Sequence, residues 1–93
     1  MIAYPVLAPH TAYRWDLVHG EHQIVHPQGM LVLNEAAAAV IRLCDGRSRE
    51  EILAALGRAY GRVTEEHVDA LLQALARRSL IRDVQAEPLL RHP

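Results

Sequence analysis

The stretch GMLVLNEAAAAVIRLCDG, residues 29–46, decides the fold because its hydrophobic pattern changes period within it. Residues 30–33 are a short apolar run after the turn signal Gln28-Gly29, which favours a β-strand. Asn34 is a good helix N-cap, and Glu35 suits the positive end of a helix dipole. The residues that follow repeat every 3.6 positions, and Asp45-Gly46 is expected to end the helix. Its apolar face contains Ala37, Val40, Ile41 and Cys44.

Upstream of this stretch, the residues from Ala12 onward have a period of two. Tyr13, Trp15 and Leu17 alternate with polar residues, as in a half-buried strand, and residues 22–25 form a second run. Together with the third run, the pattern predicts an antiparallel three-stranded meander. We interpret Trp15 as a core anchor of the first strand, with ligand stacking as the alternative.

Downstream, the pattern predicts two more helices. Ser48-Arg49-Glu50-Glu51 is a capping box that opens the second helix, and Gly61 closes it. Thr64 is expected to cap the third helix, and Leu80 and Ile81 are expected to return to the core. The inward residues of the second helix are Ile52, Leu53, Leu56 and Tyr60, and those of the third helix are Val68, Leu71, Leu72 and Leu75.

The predicted fold class is therefore α+β and winged helix-turn-helix-like, with a three-stranded antiparallel sheet followed by three helices. Residues 1–11 are expected to form an N-terminal arm, residues 12–84 the domain, and residues 85–93 a flexible tail. The chain of 93 residues has the size of one domain.

The composition, 51% hydrophobic and 23% charged, is typical of a soluble globular protein. No apolar run reaches the length of a membrane span, and no signal-peptide pattern is visible. With a single cysteine, a reducing cytoplasm is the expected location. The formal net charge of −1 predicts no general attraction to nucleic acid or to an anionic membrane.

Metal binding and catalysis are not predicted. On a strand, His22 and His26 share a face but lie roughly 13 Å apart, whereas zinc requires its ligands within about 2.0–2.3 Å of one point. His19, His22 and His26 are therefore interpreted as solvent-facing, and Cys44 as a buried core thiol. Because the sequence lacks G-x-S-x-G, H-E-x-x-H, C-x-x-C and a glycine-rich phosphate loop, we expect neither an enzyme nor a bound cofactor.

The third predicted strand indicates a binding function. Residues 29–33 carry no charge and no internal proline, and an apolar sheet edge of this kind accepts an extended peptide as an added strand. Two alternatives cover the same edge: the N-terminal arm, or a second subunit in a self-associating homodimer. A winged-helix transcriptional regulator is a further alternative, but Glu65, Glu66 and Asp69 at the start of the third helix would repel DNA phosphates.

The motifs assembled so far resemble the PqqD family over residues 13–83. The matching stretches are WDLVHGE (15–21), PQGMLVLNEAAAAVIRLCDG (27–46), SREEILAAL (48–56) and VDALLQAL (68–75), together with Tyr60 and Leu80. The block from Leu33 to Gly46, with the pattern L-N-x-x-A-A-x-I/V-x-x-L-C-D-G, is the most specific part of the resemblance.

The resemblance implies a RiPP recognition element, a non-catalytic peptide chaperone for ribosomally made and later modified peptides. It implies that the chain binds the PqqA precursor peptide in pyrroloquinoline quinone (PQQ) biosynthesis. The chain would then present PqqA to PqqE, a radical S-adenosylmethionine (SAM) enzyme that cross-links a glutamate and a tyrosine of the precursor.

The resemblance also implies that the peptide adds beside the third strand, over the third helix. The expected strand contacts are Met30, Leu31, Val32 and Leu33. The expected helix contacts are Asp69, Leu72, Gln73, Ala76 and Arg77. Of these, Arg77 is expected to grip a glutamate carboxylate.

Overall fold

The computed structural model describes residues 2–84 of the chain. Within these residues the elements are β1 (Pro5–Leu7), β2 (Ala12–Asp16), β3 (Glu21–His26), β4 (Gly29–Leu33), α1 (Glu35–Ile41), α2 (Arg49–Tyr60), α3 (Glu65–Arg77) and β5 (Ile81–Asp83). The predicted tail, residues 85–93, lies outside the described residues. None of the described helices combines the length and the hydrophobicity needed to cross a lipid bilayer.

The predicted meander is present as strands β2, β3 and β4, which pair antiparallel in that order. Tyr13 lies opposite Ile24, and Ile24 lies opposite Leu31, so these side chains share the face of the sheet that packs against the helices. With three helices following the sheet, the predicted α+β fold class is confirmed.

The N-terminal segment forms a strand of its own. Residues 5–7 pair antiparallel with β5, with Pro5 opposite Asp83 and Leu7 opposite Ile81. The Asp83 carboxylate accepts hydrogen bonds from the backbone N–H groups of Ala3 and Tyr4, each at 3.0 Å. This second, two-stranded sheet was not predicted, because its two strands are separated by more than seventy residues of sequence.

Helix α1 begins as predicted and ends early. The Asn34 side chain accepts a hydrogen bond from the backbone N–H of Ala37 at 2.7 Å, which confirms the N-cap. Regular helix stops at Ile41, not at Asp45-Gly46. After the C-cap residue Arg42, the backbone N–H groups of Leu43 and Cys44 donate to carbonyls three positions earlier and form a tighter turn.

The starts of the other two helices differ in how well they are capped. Ser48 and Glu51 form the predicted capping box at α2, and Gly61 closes that helix with a φ of +81°. Thr64 occupies the N-cap position of α3, but its side chain makes no capping hydrogen bond. The predicted Thr64 cap is therefore correct in position only.

The core joins the inner face of the sheet to all three helices. Its most deeply buried side chains include Ile24, Ile41, Ile52 and Leu72, none of which is more than 1% exposed. The predicted return to the core after α3 is confirmed, since Leu80 and Ile81 are both buried.

Three predicted core positions are wrong. Trp15 is 48% exposed, because it lies near the end of the outer strand β2. Its ring packs edge-on against the His22 ring, with the two ring centroids 4.8 Å apart. Leu17 is 84% exposed, because β2 ends at Asp16 and Leu17 belongs to the turn. Tyr60, the last residue of α2, is 61% exposed.

Candidate functional site

Strand β4 is an open edge of the sheet. It pairs with β3 on one side, and no other strand of residues 2–84 pairs with it on the other side. Alternate residues of such an edge direct their backbone N–H and C=O groups outward, where they are available to another strand. The N-terminal segment does not cover this edge, because β1 pairs with β5.

The side chains of β4 alternate between water and the core. Met30 and Val32 are 49% and 51% exposed. Leu31 is partly buried and packs against the core, and Leu33 is buried within it. The four residues expected to contact a peptide thus form an uncharged edge with one apolar face open to solvent.

One flank of α3 faces the start of α2. The Arg49 guanidinium donates from Nε to Oδ1 of Asp69 at 2.7 Å and from Nη2 to Oδ2 at 2.8 Å. Nη2 also donates to Glu65 at 2.8 Å. These bonds hold the pKa of the Asp69 carboxyl below its usual value and raise the pKa of Arg49.

The five predicted helix contacts therefore have different surroundings. Asp69 is held by Arg49, and Leu72 lies in the core at 1% exposure. Ala76 is partly buried, and Gln73 and Arg77 are exposed. The burial of Arg49, the first residue of α2, gave no signal in the sequence, where Arg49 is part of the capping-box motif.

The opposite flank of α3 carries a second stripe, which we call the cleft-side stripe. Because helix neighbours lie about 100° apart, residues spaced by three and four positions share a face. His67, Leu71 and Ala74 of α3 have this spacing, and it continues to the C-cap residue Arg78. His67 and Leu71 line a cleft at one end of α3, and Arg78 lines a cleft at the other end.

The first of these, the apolar cleft, has a volume of about 360 Å³ and lies between α1, the end of α2 and the start of α3. Its rim carries Glu35, Tyr60, Arg62 and His67. Its apolar lining includes Ala36, Ala39, Val40, Leu56, Val63 and Leu71. Since Glu35 and Ala36 come shortly after Leu33, this cleft adjoins the C-terminal end of β4.

The second, the basic cleft, has a volume of about 400 Å³ and lies between the β3–β4 turn, the end of α3 and the start of β5. Its charged or titratable lining residues are His26, Arg78 and Arg82. Pro27 and Gln28 also line it, so it adjoins the N-terminal end of β4. No carboxylate of the described residues lines this cleft.

His22 is buried, and the prediction that it faces solvent is wrong. Its Nδ1 atom lies 2.6 Å from the Tyr13 hydroxyl, and its Nε2 atom lies 3.0 Å from Glu35 Oε1. The physical reason is that β3 is the central strand of the sheet, in which the neighbouring residues Gln23 and Ile24, on opposite faces, are both buried. These contacts tie the first turn of α1 to the sheet.

A metal site would need several donors close together. Among residues 2–84, Asp16, His19 and Glu21 at the β2–β3 turn bring donor atoms within 4.8 Å of one another. These groups already bond to their surroundings: Asp16 lies 2.7 Å from His19 Nδ1 and accepts a bond from the backbone N–H of Val18. This network explains the residues without an ion. His19 is exposed, as predicted.

Cys44 is buried, as predicted. It is 4% exposed, and its Sγ atom donates to the Val40 carbonyl at 3.3 Å. Burial raises the pKa of the thiol to about 12, so it stays protonated at neutral pH. A protonated, enclosed thiol is a poor nucleophile.

The class of the protein follows from its fold and from the open edge of its sheet. The structure is similar to the solution NMR structure of the PqqD truncation of Methylobacterium extorquens PqqCD, which is described as a functional, stand-alone RiPP recognition element. The TM-score is 0.65 at 27% identity, and the match covers 85% of this chain and 88% of that one. The chain thus has the α+β fold of a recognition element.

The family follows from sequence. The model of the coenzyme PQQ synthesis protein D (PqqD) family matches residues 21–81. The PqqA binding protein of Methylococcus capsulatus is 33% identical over 82 residues, which cover 86% of this chain and 88% of that protein. The PqqA binding protein of Azotobacter vinelandii is 34% identical over 80 residues, covering 83% and 87%. This chain belongs to the PqqD family.

Proposed function

We propose that this chain binds the PqqA precursor peptide by taking it up as an additional strand along β4. The observation that carries the proposal is the open, uncharged β4 edge, with Met30 and Val32 exposed, between two clefts that are lined partly by α3. Backbone hydrogen bonds along β4 would provide affinity, and side-chain contacts along α3 would provide specificity. The relatives in M. capsulatus and A. vinelandii carry the name PqqA binding protein, which supports the same ligand.

We assign only part of the α3 surface to the peptide. Asp69 and Leu72 already serve the Arg49 ion pair and the core. We therefore place the peptide over the cleft-side stripe, between the two clefts that adjoin the ends of β4. Gln73, Ala76 and Arg77 stay in the proposal as contacts to be tested.

The proposed role is binding without catalysis. The side chain most suited to nucleophilic chemistry, Cys44, is enclosed and protonated. The chain would present the bound peptide in extended form to the radical SAM enzyme PqqE. An extended strand leaves alternate side chains of the peptide accessible, which suits delivery to a second protein.

A scan of backbone N-methylation along a synthetic PqqA peptide tests strand addition without altering the protein. N-methylation removes one donor, as proline does, and an antiparallel strand uses only every second N–H toward its neighbour. Calorimetric titration should show affinity lost at alternate positions over about five residues and retained between them. A loss that does not alternate, or no loss anywhere, contradicts strand addition.

Self-association through β4 is the second candidate. The exposed Met30 and Val32 side chains on an unpaired edge favour it, since such edges pair with copies of themselves. Light scattering of the peptide-free protein at rising concentration should then show a dimer that the peptide dissociates. A monomer at every concentration excludes this candidate.

DNA binding is not proposed. The start of α3 would have to enter the major groove, and its first turn carries Glu65 and Glu66.

A further inference from the structure

The two clefts lie at opposite ends of β4, so a peptide strand bound along β4 would meet an apolar site at one end and a basic site at the other. The apolar cleft contains Glu35 and Ala36, which come shortly after β4, and residues from the start of α3. The basic cleft contains Pro27 and Gln28, which directly precede β4, and residues from the end of α3. Helix α3 therefore runs opposite to β4. The two elements are comparable in length, about 16 Å for five strand residues and about 20 Å for thirteen helix residues.

The basic cleft has the chemistry of a carboxylate site. The Arg78 guanidinium is exposed and makes no ion pair or hydrogen bond within residues 2–84. His26 and Arg82 line the same cleft, and no carboxylate of these residues does. An arginine in a concave, partly enclosed site binds a carboxylate more strongly than an arginine on a flat surface, because the geometry is restricted and the pair is less screened.

Arg77 and Arg78 are adjacent but differ in direction. Neighbours on a helix point about 100° apart, so only one of them lies on the cleft-side stripe. Arg78 lines the basic cleft, whereas Arg77 lines neither cleft. A peptide that leaves β4 at Gly29 passes Gln28 and reaches Arg78.

We infer that the basic cleft binds an acidic side chain of the bound peptide, with Arg78 as its main ligand. This inference rests on the proposed function. The sheet is antiparallel throughout, and antiparallel pairing is the more stable arrangement, so the peptide runs from Leu33 toward Gly29. The acidic residue then lies about four to six residues C-terminal to the residue opposite Leu33.

A double-mutant cycle tests the inference. The probes are the PqqA precursor peptide and variants of it with one glutamate or aspartate changed to the amide, titrated into the full chain at low ionic strength. Arg78→Gln should weaken binding of the unchanged peptide about fivefold to tenfold. One amide variant should bind the wild type and Arg78→Gln equally, which identifies the carboxylate partner.

Two further arginine substitutions serve as matched controls. Arg58→Gln removes the same charge from an exposed position on α2 that lines neither cleft, and should change affinity by less than about twofold. Arg77→Gln decides between the adjacent arginines. The inference is overturned if Arg78→Gln behaves like Arg58→Gln, if only Arg77→Gln weakens binding, or if no carboxylate couples to Arg78.

The NMR signal of the Arg78 side-chain Nε–H group can be followed in the wild type, so this readout does not depend on whether a variant folds. It should shift on addition of the unchanged peptide and stay in place with the amide variant identified by the cycle. An Arg78 signal that responds equally to both peptides overturns the inference. If the unchanged peptide does not bind the wild type at all, the proposed function itself fails, and the carboxylate site fails with it.

Discussion

Replacing Leu72 by alanine separates a core role from a peptide-binding role at this position. Leu72 is 1% exposed and packs within the core cluster. Complete burial of a leucine side chain is worth about 1.5–3 kcal/mol, and the cavity that remains adds to the loss. We expect Leu72→Ala to lower the free energy of unfolding by about 3 kcal/mol.

Urea unfolding followed by circular dichroism measures this loss. With a slope of about 1–1.5 kcal/mol per molar urea, the midpoint should fall by about 2–3 M. The melting temperature should fall by about 12–24 °C, given about 4–8 °C per kcal/mol for a domain of this size. Leu72→Met, which conserves volume, should recover most of the loss.

Gln73→Ala is the matched control, since Gln73 is adjacent and exposed. Its unfolding free energy should stay within about 0.5 kcal/mol of the wild type. Equal stability of the Leu72→Ala and Gln73→Ala variants would refute the assignment of Leu72 to the core. Leu72 would then be free to make the peptide contact that was also expected of it.

Three further predictions concern other parts of the molecule. Asp69→Asn should lower the melting temperature at pH 7 more than Glu66→Gln does. Because the folded-state pKa of Asp69 is lowered, this difference in melting temperature should persist above about pH 4 and vanish as the pH falls through the lowered pKa. Cys44 should resist a thiol reagent in the native protein at pH 8 and react in guanidinium; rapid native reaction would contradict its burial. The fluorescence of Trp15, which is 48% exposed, should be quenched by a neutral collisional quencher. Trp15→Phe should leave the free energy of unfolding nearly unchanged, and a large loss would show that Trp15 is a core residue.

Local chemistry explains why much of the fold was predictable. The Asn34 cap and the Ser48–Glu51 capping box depend on residues within three positions, and both are present in the structure. The bounds of β4 follow from a four-residue apolar run between a turn and a cap. Such signals need no knowledge of the tertiary structure.

Signals that depend on distant residues were missed. The pairing of β1 with β5 joins the two ends of the described chain, and no local pattern carries it. Trp15 was assigned to the core because it is large and apolar, but the position of β2 at the edge of the sheet leaves its ring half exposed. Hydrophobicity alone does not determine which strand becomes the outer one.

The candidate site was predictable at the strand and only partly at the helix. Periodicity identifies the core stripe of α3, but it does not show which flank lies against α2 and which lines the two clefts. That choice depends on Arg49, whose bonds to Asp69 and Glu65 hold one flank against α2. The cleft-side stripe from His67 to Arg78 therefore became visible only in the structure.

The most direct test of peptide addition to β4 is an NMR titration of the ¹⁵N-labelled chain with the PqqA precursor peptide. We expect the largest amide shifts at residues 29–33 and along the cleft-side stripe of α3, with intermolecular Hα–Hα contacts between the peptide and alternate residues of β4. Shifts confined to β2, or contacts to β5 in place of β4, would contradict it.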